Sequence, residues 1–328
     1  MPEPLRLSAG HHHFDHRAAP FVALTHGWFG AEAAGPVSVA ASGADDHTVA
    51  ALYAGSVDIG LDISPAKVLH DHLAGGDLVI VGAMANGVGQ VLTSVPGITS
   101  VADLRGRRIH VVEKGTGVDW HPLRILLRRH GIDPDRDVTL VYGAPYPLFQ
   151  NADRAFRDGI ADARMLLHAE APKLRAAGYP VLFDFLAEYP VDYPQRCIVT
   201  TRRFVAQQGD RLVAFLRAMI RGYRFLRDEA VYHQAMAIVR EHMGDDPGLG
   251  FPPGITDHFL GSHYFGFKQM PPDGGVSETS LQRYIDEEAL EGRIPPGLRA
   301  GQVHDGAPAA AALQSIAARF GTGYGPVP

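Results

Sequence analysis

Cysteine is almost missing from this chain: Cys197 is the only one in 328 residues. A lone thiol excludes an intramolecular disulfide and a thiolate metal cluster, and it leaves the compartment open. Basic residues are in deficit, with 30 Lys and Arg against 36 Asp and Glu and a net charge of −6. A phosphate-binding surface needs a basic excess, so nucleic acid is not an expected partner. No apolar run reaches membrane-spanning length. Residues 1–10, MPEPLRLSAG, hold no basic n-region, apolar h-region or cleavage site. The expectation is a cytoplasmic protein, or a periplasmic one if a signal peptide has been removed. No P-loop occurs, and Gly82–Gly89 lacks the spacing of a dinucleotide fingerprint. No repeat of solenoid length is present either.

What is present is an α/β pattern. Hydrophobic residues make up 46% of the chain, and 37 Gly and 24 Pro supply many turns. Strand-like runs at Leu5–Ala9, Val37–Ala41, Val57–Leu61 and Leu78–Ala83 alternate with helical stretches at Ala18–Phe29, His47–Ala54 and Pro65–Ala74. This order predicts a parallel sheet with helices on its faces. A second unit follows, with strands at Arg108–Val112, Val138–Val141, Ala163–Leu167 and Val181–Phe183. Its helices are expected over Pro122–His130, Asp153–Asp158 and Glu170–Ala176. From Ile198 the chain makes one more strand, then a long helix over Asp210–Asp228. The C-terminal third is mainly helical. The expected division is residues 1–90 plus 198–328 for one lobe, C-terminal helices included, and 91–197 for the other.

Three segments carry a family resemblance. Ala51–Pro65 reads ALYAGSVDIGLDISP, Ile98–Val112 reads ITSVADLRGRRIHVV, and Lys114–Asp137 holds a Gly/Thr turn, a helix and a GIDPDRD corner. Together with Arg196–Phe204 they resemble the type II periplasmic-binding-protein superfamily, in its sulfonate, taurine and thiamine-pyrimidine group. The resemblance spans roughly residues 5–230. It implies a two-lobed α/β fold with the ligand cleft between lobes. The segments LSAGHHHFDHRAAP and LQRYIDEEALEGRIP also resemble a cytosolic enzyme branch similar to 4,5-dihydroxyphthalate decarboxylase. Aromatic sulfinate desulfinases, in the same superfamily, carry a catalytic Cys just after the first strand, and pyrimidine-synthase members carry a Cys-rich motif. Neither is found here.

Candidate site residues cluster at strand ends, which face the ligand crevice in open α/β sheets. Gly10–Arg17, GHHHFDHR, follows the first strand. Kept extended, it would point His11, His13 and Asp15 one way and His12, Phe14 and His16 the other. Two His and a carboxylate suit a divalent metal, and His11, His13 or His16 alone suits general acid–base work. The plainer alternative is a solvated turn. Arg17 suits a two-point contact to a carboxylate. Gly115, Thr116 and Gly117 open a helix and suit an anionic group. Beside them, Trp120 suits stacking on a ring and His121 suits proton or hydrogen-bond donation; the alternative is a core Trp at an ordinary helix start. Asp62 and Ser64 sit in the loop that touches ligand in the resembling proteins, or else cap the helix that Pro65 opens. Tyr146 and Arg196 complete the set as cleft-lining candidates.

Two functions compete on this reading. One is a decarboxylase or related lyase acting on a small aromatic or heteroaromatic acid, with or without a divalent metal. The other is the substrate-binding subunit of an importer for a sulfonate, a pyrimidine or an aromatic acid. Both take a small anionic ligand, and both leave open whether the chain forms a homo-oligomer.

Overall fold

The structure is a computed structural model that describes residues 3–9, 14–42, 44–111, 117–142, 152–188, 193–243 and 270–323. Along the chain come β1 (Leu5–Ala9), α1 (Phe14–Thr25), α2 (Trp28–Ala31), β2 (Val37–Ala41), α3 (Asp45–Tyr53), β3 (Ile59–Ile63), α4 (Pro65–Leu73) and β4 (Leu78–Ala85). Next are β5 (Gln90–Ser94), β6 (Arg108–Val111), α5 (Gly117–Arg129), β7 (Thr139–Tyr142), α6 (Arg154–Arg157), β8 (Ala163–Leu167), α7 (Ala171–Ala176), β9 (Val181–Asp184) and α8 (Phe185–Glu188). The chain then forms β10 (Arg196–Thr201), α9 (Arg202–Leu226), α10 (Tyr232–Met243), α11 (Glu278–Leu290) and α12 (Ala307–Phe320). It divides into two units, Met1–Asn86 with Val191–Pro328, and Gly87–Pro190.

Unit 1 is built on a five-stranded sheet in the order β2-β1-β3-β10-β4. β1 pairs in parallel with β2 and β3, whereas β10 runs antiparallel to β3 and β4. Every residue of β3 and β4 is buried. Such strands read as continuous apolar runs because both sheet faces are covered. The outer edge of β4 is covered too. Ile80 N–H donates to Val303 O, Asp305 N–H donates to Ile80 O, and Ala83 N–H donates to Gly274 O. The C-terminal chain thereby caps ladder groups that would otherwise recruit a foreign strand.

Helix packing in unit 1 depends on one glycine. A Cβ at Gly222 of α9 would lie 2.9 Å from the backbone oxygen of Ala19 in α1. Only glycine permits this approach. A buried ion cluster ties the C-terminal helix down. The Glu32 carboxylate, 1% exposed, accepts from Arg217 and Arg221 of α9 and from Arg319 of α12. Burial alone would raise its pKa, and the hydrogen bonds from Arg319, Arg221 and Arg217 outweigh that and lower it.

Unit 2 repeats the pattern with the order β7-β6-β8-β5-β9. β6 pairs in parallel with β7 and β8, and β5 runs antiparallel to β8 and β9. In each sheet the fourth strand, β10 or β5, is antiparallel to both neighbours, and each lies just after one of the two chain crossings.

Candidate functional site

The C-terminal ends of the unit 1 strands gather three of the residues singled out by sequence. β3 ends Asp62–Ile63, and Asp62 is 1% exposed with a backbone φ of 62°. Non-glycine residues rarely adopt that left-handed conformation, and Asp is among the more tolerant. Sequence reading placed Asp62 in a loop. The structure corrects this: the strand runs to Ile63, because β10 pairs along it and Cys197 faces Ile63. Ser64 follows as the residue before α4, with Pro65 opening the helix. Its side chain makes no capping bond there. Its N–H instead donates to Asp45 Oδ2 at 3.0 Å, and its hydroxyl bonds the Tyr284 side chain of α11.

Arg196 enters this group from β10, whose register sets it opposite Ala85 at the end of β4. Its Nε lies 3.5 Å from Asp62 Oδ1 and its Nη1 3.7 Å from Asp45 Oδ2. These are ion pairs without hydrogen-bond geometry. The Arg196 side chain is 13% exposed, and its Nε is buried with no hydrogen-bond partner among the described residues. A guanidinium carries several N–H donors and no acceptor, so buried examples normally have oxygen partners. Next to it, burial raises the pKa of the Cys197 thiol. Cys197 is therefore a packed, protonated thiol rather than a nucleophile.

A tyrosine layer, Tyr284 buried and Tyr193 half-buried, supports the group. Tyr193 and Tyr284 stand edge to face with ring centroids 5.9 Å apart. Burial, with Glu288 adding to it, raises the Tyr284 pKa. Glu288 is itself paired with Arg293 at 2.7 Å. Sequence reading missed Asp45 and Tyr284. Asp45 is the first residue of α3, and only the fold brings it to Ser64. Tyr284 arrives from far along the chain.

The remaining candidates fall elsewhere. Asp15, His16 and Arg17 lie in the first turn of α1. The expected extended alternation of His11, His13 and Asp15 therefore fails on the Asp15 and His16 side: a helix starting at Phe14 turns successive residues around an axis instead of flipping them. His11 and His13, along with Gly115, Thr116 and Tyr146, lie outside the described residues. Among the described residues no group of three or more His, Cys, Asp or Glu is placed to hold a metal. In unit 2, α5 starts at Gly117, earlier than expected. Trp120 and His121 are both 5% exposed. The Arg124 guanidinium stands 4.8 Å from the Trp120 ring centroid, Tyr142 is 5.6 Å away, and Asp135 pairs with Arg124. Trp120 thus has protein contacts of its own within unit 2.

Comparison with known families gives the chain its place. The model of the family described as NMT1/THI5 like matches residues 15–230. The chain belongs to the NMT1/THI5-like family. No curated protein sequence matches it. Among solved structures it is similar to the periplasmic aliphatic sulphonate binding protein SsuA from Escherichia coli. That match has 20% identity and a TM-score of 0.68, and covers 92% of this chain and 97% of that one. It is also similar to the periplasmic nitrate-binding protein NrtA from Synechocystis PCC 6803, at 13% identity and a TM-score of 0.67, covering 99% and 92%. A third similar structure is desulfurization enzyme DSZB, at 16% identity and a TM-score of 0.59, covering 94% and 99%. Likeness at these identities shows the fold, which is that of the type II periplasmic binding proteins. Carriers and an enzyme share it, so function has to be argued from the site. No described helix is long and apolar enough to cross a membrane.

Proposed function

We propose that this protein is the solute-binding subunit of an importer, acting in the periplasm on a small anionic solute. The observation that carries this reading is Arg196. It is a mostly buried guanidinium at the carboxyl edge of the unit 1 sheet, with two carboxylates at ion-pair distance and its Nε buried with no hydrogen-bond partner among the described residues. A ligand oxygen placed there would meet donors that Asp45 and Asp62 leave unused. Asp45 also accepts the Ser64 N–H, so it fixes the backbone of the adjoining loop as well as the guanidinium. The similar sulphonate- and nitrate-binding proteins are named for anionic ligands, which supports the same class.

The comparisons favour this reading over the decarboxylase expectation. Of the histidines that reading draws on, His11 and His13 lie outside the described residues, His16 lies in the first turn of α1 and His121 lies in α5. A thermal-shift screen over aliphatic sulfonates, nitrate, aromatic carboxylates and pyrimidines tests the proposal, with carbon dioxide release followed for every carboxylate that binds. A binder raises the midpoint with the logarithm of its concentration. The expected result is a concentration-dependent rise with an anion and no carbon dioxide. Turnover of a bound carboxylate would overturn the carrier reading.

A further inference from the structure

The unit 1 sheet has a second edge, opposite Arg196, where β1 and β3 begin and β10 ends. A cavity of about 330 Å³ opens there, lined by residues of β1, α3, the α3–β3 connection, the end of β10 and the start of α9. That volume lies at the small end of ligand sites, which run about 300–1,000 Å³. Leu52, Val57 and Phe204 supply the apolar part of a mixed lining. Leu52 is buried and Val57 and Phe204 are half-buried, so part of this surface meets solvent.

Among the lining residues the charges do not cancel, although the Asp77 carboxylate accepts from the Arg203 backbone N–H at 3.2 Å. Arg6 and Asp58 form a two-point pair, Nε to Oδ2 at 3.0 Å and Nη2 to Oδ1 at 2.7 Å, and neutralise each other. Arg203 is exposed, and no carboxylate pairs with its guanidinium among the described residues. Gln207 adds a neutral amide at the same wall. The wall has a local cause. The backbone of Gln208 leaves helical geometry at φ −131° and ψ 27°, which sets Arg202–Gln207 apart from the rest of α9. Arg203, Phe204 and Gln207 all ride on that offset segment.

We infer that this cavity is a second ligand site, separate from the Arg196 site, for a compact monoanion with an apolar body, such as a small aromatic carboxylate. The apolar body would cover Leu52, Val57 and Phe204, and the carboxylate would pair with Arg203. This inference does not depend on the importer reading.

The test is an amide NMR titration of the full chain with benzoate, and with benzylamine as the cationic control. Benzoate should move the Gly55 and Gln207 amides to saturation, and benzylamine should not. Arg203→Gln should weaken benzoate at these amides about tenfold, the loss of one charge-assisted contact, with an unchanged thermal midpoint. Arg196→Gln, at the opposite edge, should leave the response at these amides intact, even if it abolishes binding elsewhere. The inference is overturned if these amides do not respond, if Arg203→Gln binds benzoate as the parent does, if benzylamine binds equally well, or if Arg196→Gln removes the response.

Discussion

A buried side chain that lacks hydrogen bonds invites a ligand or signals an energetic liability, and Arg196 is proposed as a case of the first. Arg196 sits among acceptors that hold it without saturating it. His304 is the contrasting case. Its side chain is 3% exposed, both ring nitrogens are buried without hydrogen bonds among the described residues, and the Glu278 carboxylate is 4.0 Å away. Burial lowers its pKa from 6.5, with Glu278 and Asp305 opposing the shift more weakly. Well above pH 6.5 the ring is neutral both folded and unfolded, and contributes nothing to pH dependence. As pH falls through 6.5 the unfolded chain takes up the proton first, so stability falls until the lower folded pKa is passed. His304→Leu should therefore lose less melting temperature than the parent between about pH 7 and about pH 5.5. Parallel curves would show that His304 does not titrate as its burial requires. Asp62, Ser64 and Arg196 were legible in the sequence because each stands at a strand end beside a turn. Asp45 was not, since nothing local distinguishes it from an ordinary acidic residue in the first turn of a helix.

Among the elements, β1, β2 and β8 have the bounds that apolar patterning predicts. Other elements were hidden for identifiable reasons. β5 follows β4 after a short glycine-containing link and opens on the buried polar Gln90, so it lacks a strand-like start. α9 begins at Arg202, with Thr201 accepting from the Phe204 N–H, well before the expected Asp210. The break at Gln208 interrupts the helical period, and only the regular part beyond it was readable. α1 starts within the histidine-rich segment, where no strong helix former announces it. The packing of α1 on α9 gives a direct test at this scale. Gly222→Ala would force a Cβ against the Ala19 carbonyl. Because the obstacle is backbone, the loss should be about 1–3 kcal/mol in urea unfolding. A change under about 0.5 kcal/mol would mean that the helices separate freely.

For the molecule as a whole, the alternation of strands and helices made two α/β units legible, and both sheets share one strand order. The ligand was not legible in the same way, because the side chains proposed to meet it come from separated segments such as Asp45, Asp62 and Arg196. The central claim is that Arg196 anchors an anion in a carrier. Calorimetry on the anion giving the largest thermal shift, with parent, Arg196→Lys and Arg196→Gln, tests it most directly. Lysine keeps the charge and loses the fork, whereas glutamine loses both. The account predicts an affinity loss of about tenfold or more for glutamine and a smaller one for lysine, each with a folded, cooperatively melting protein. Parent-like affinity in folded Arg196→Gln would contradict it.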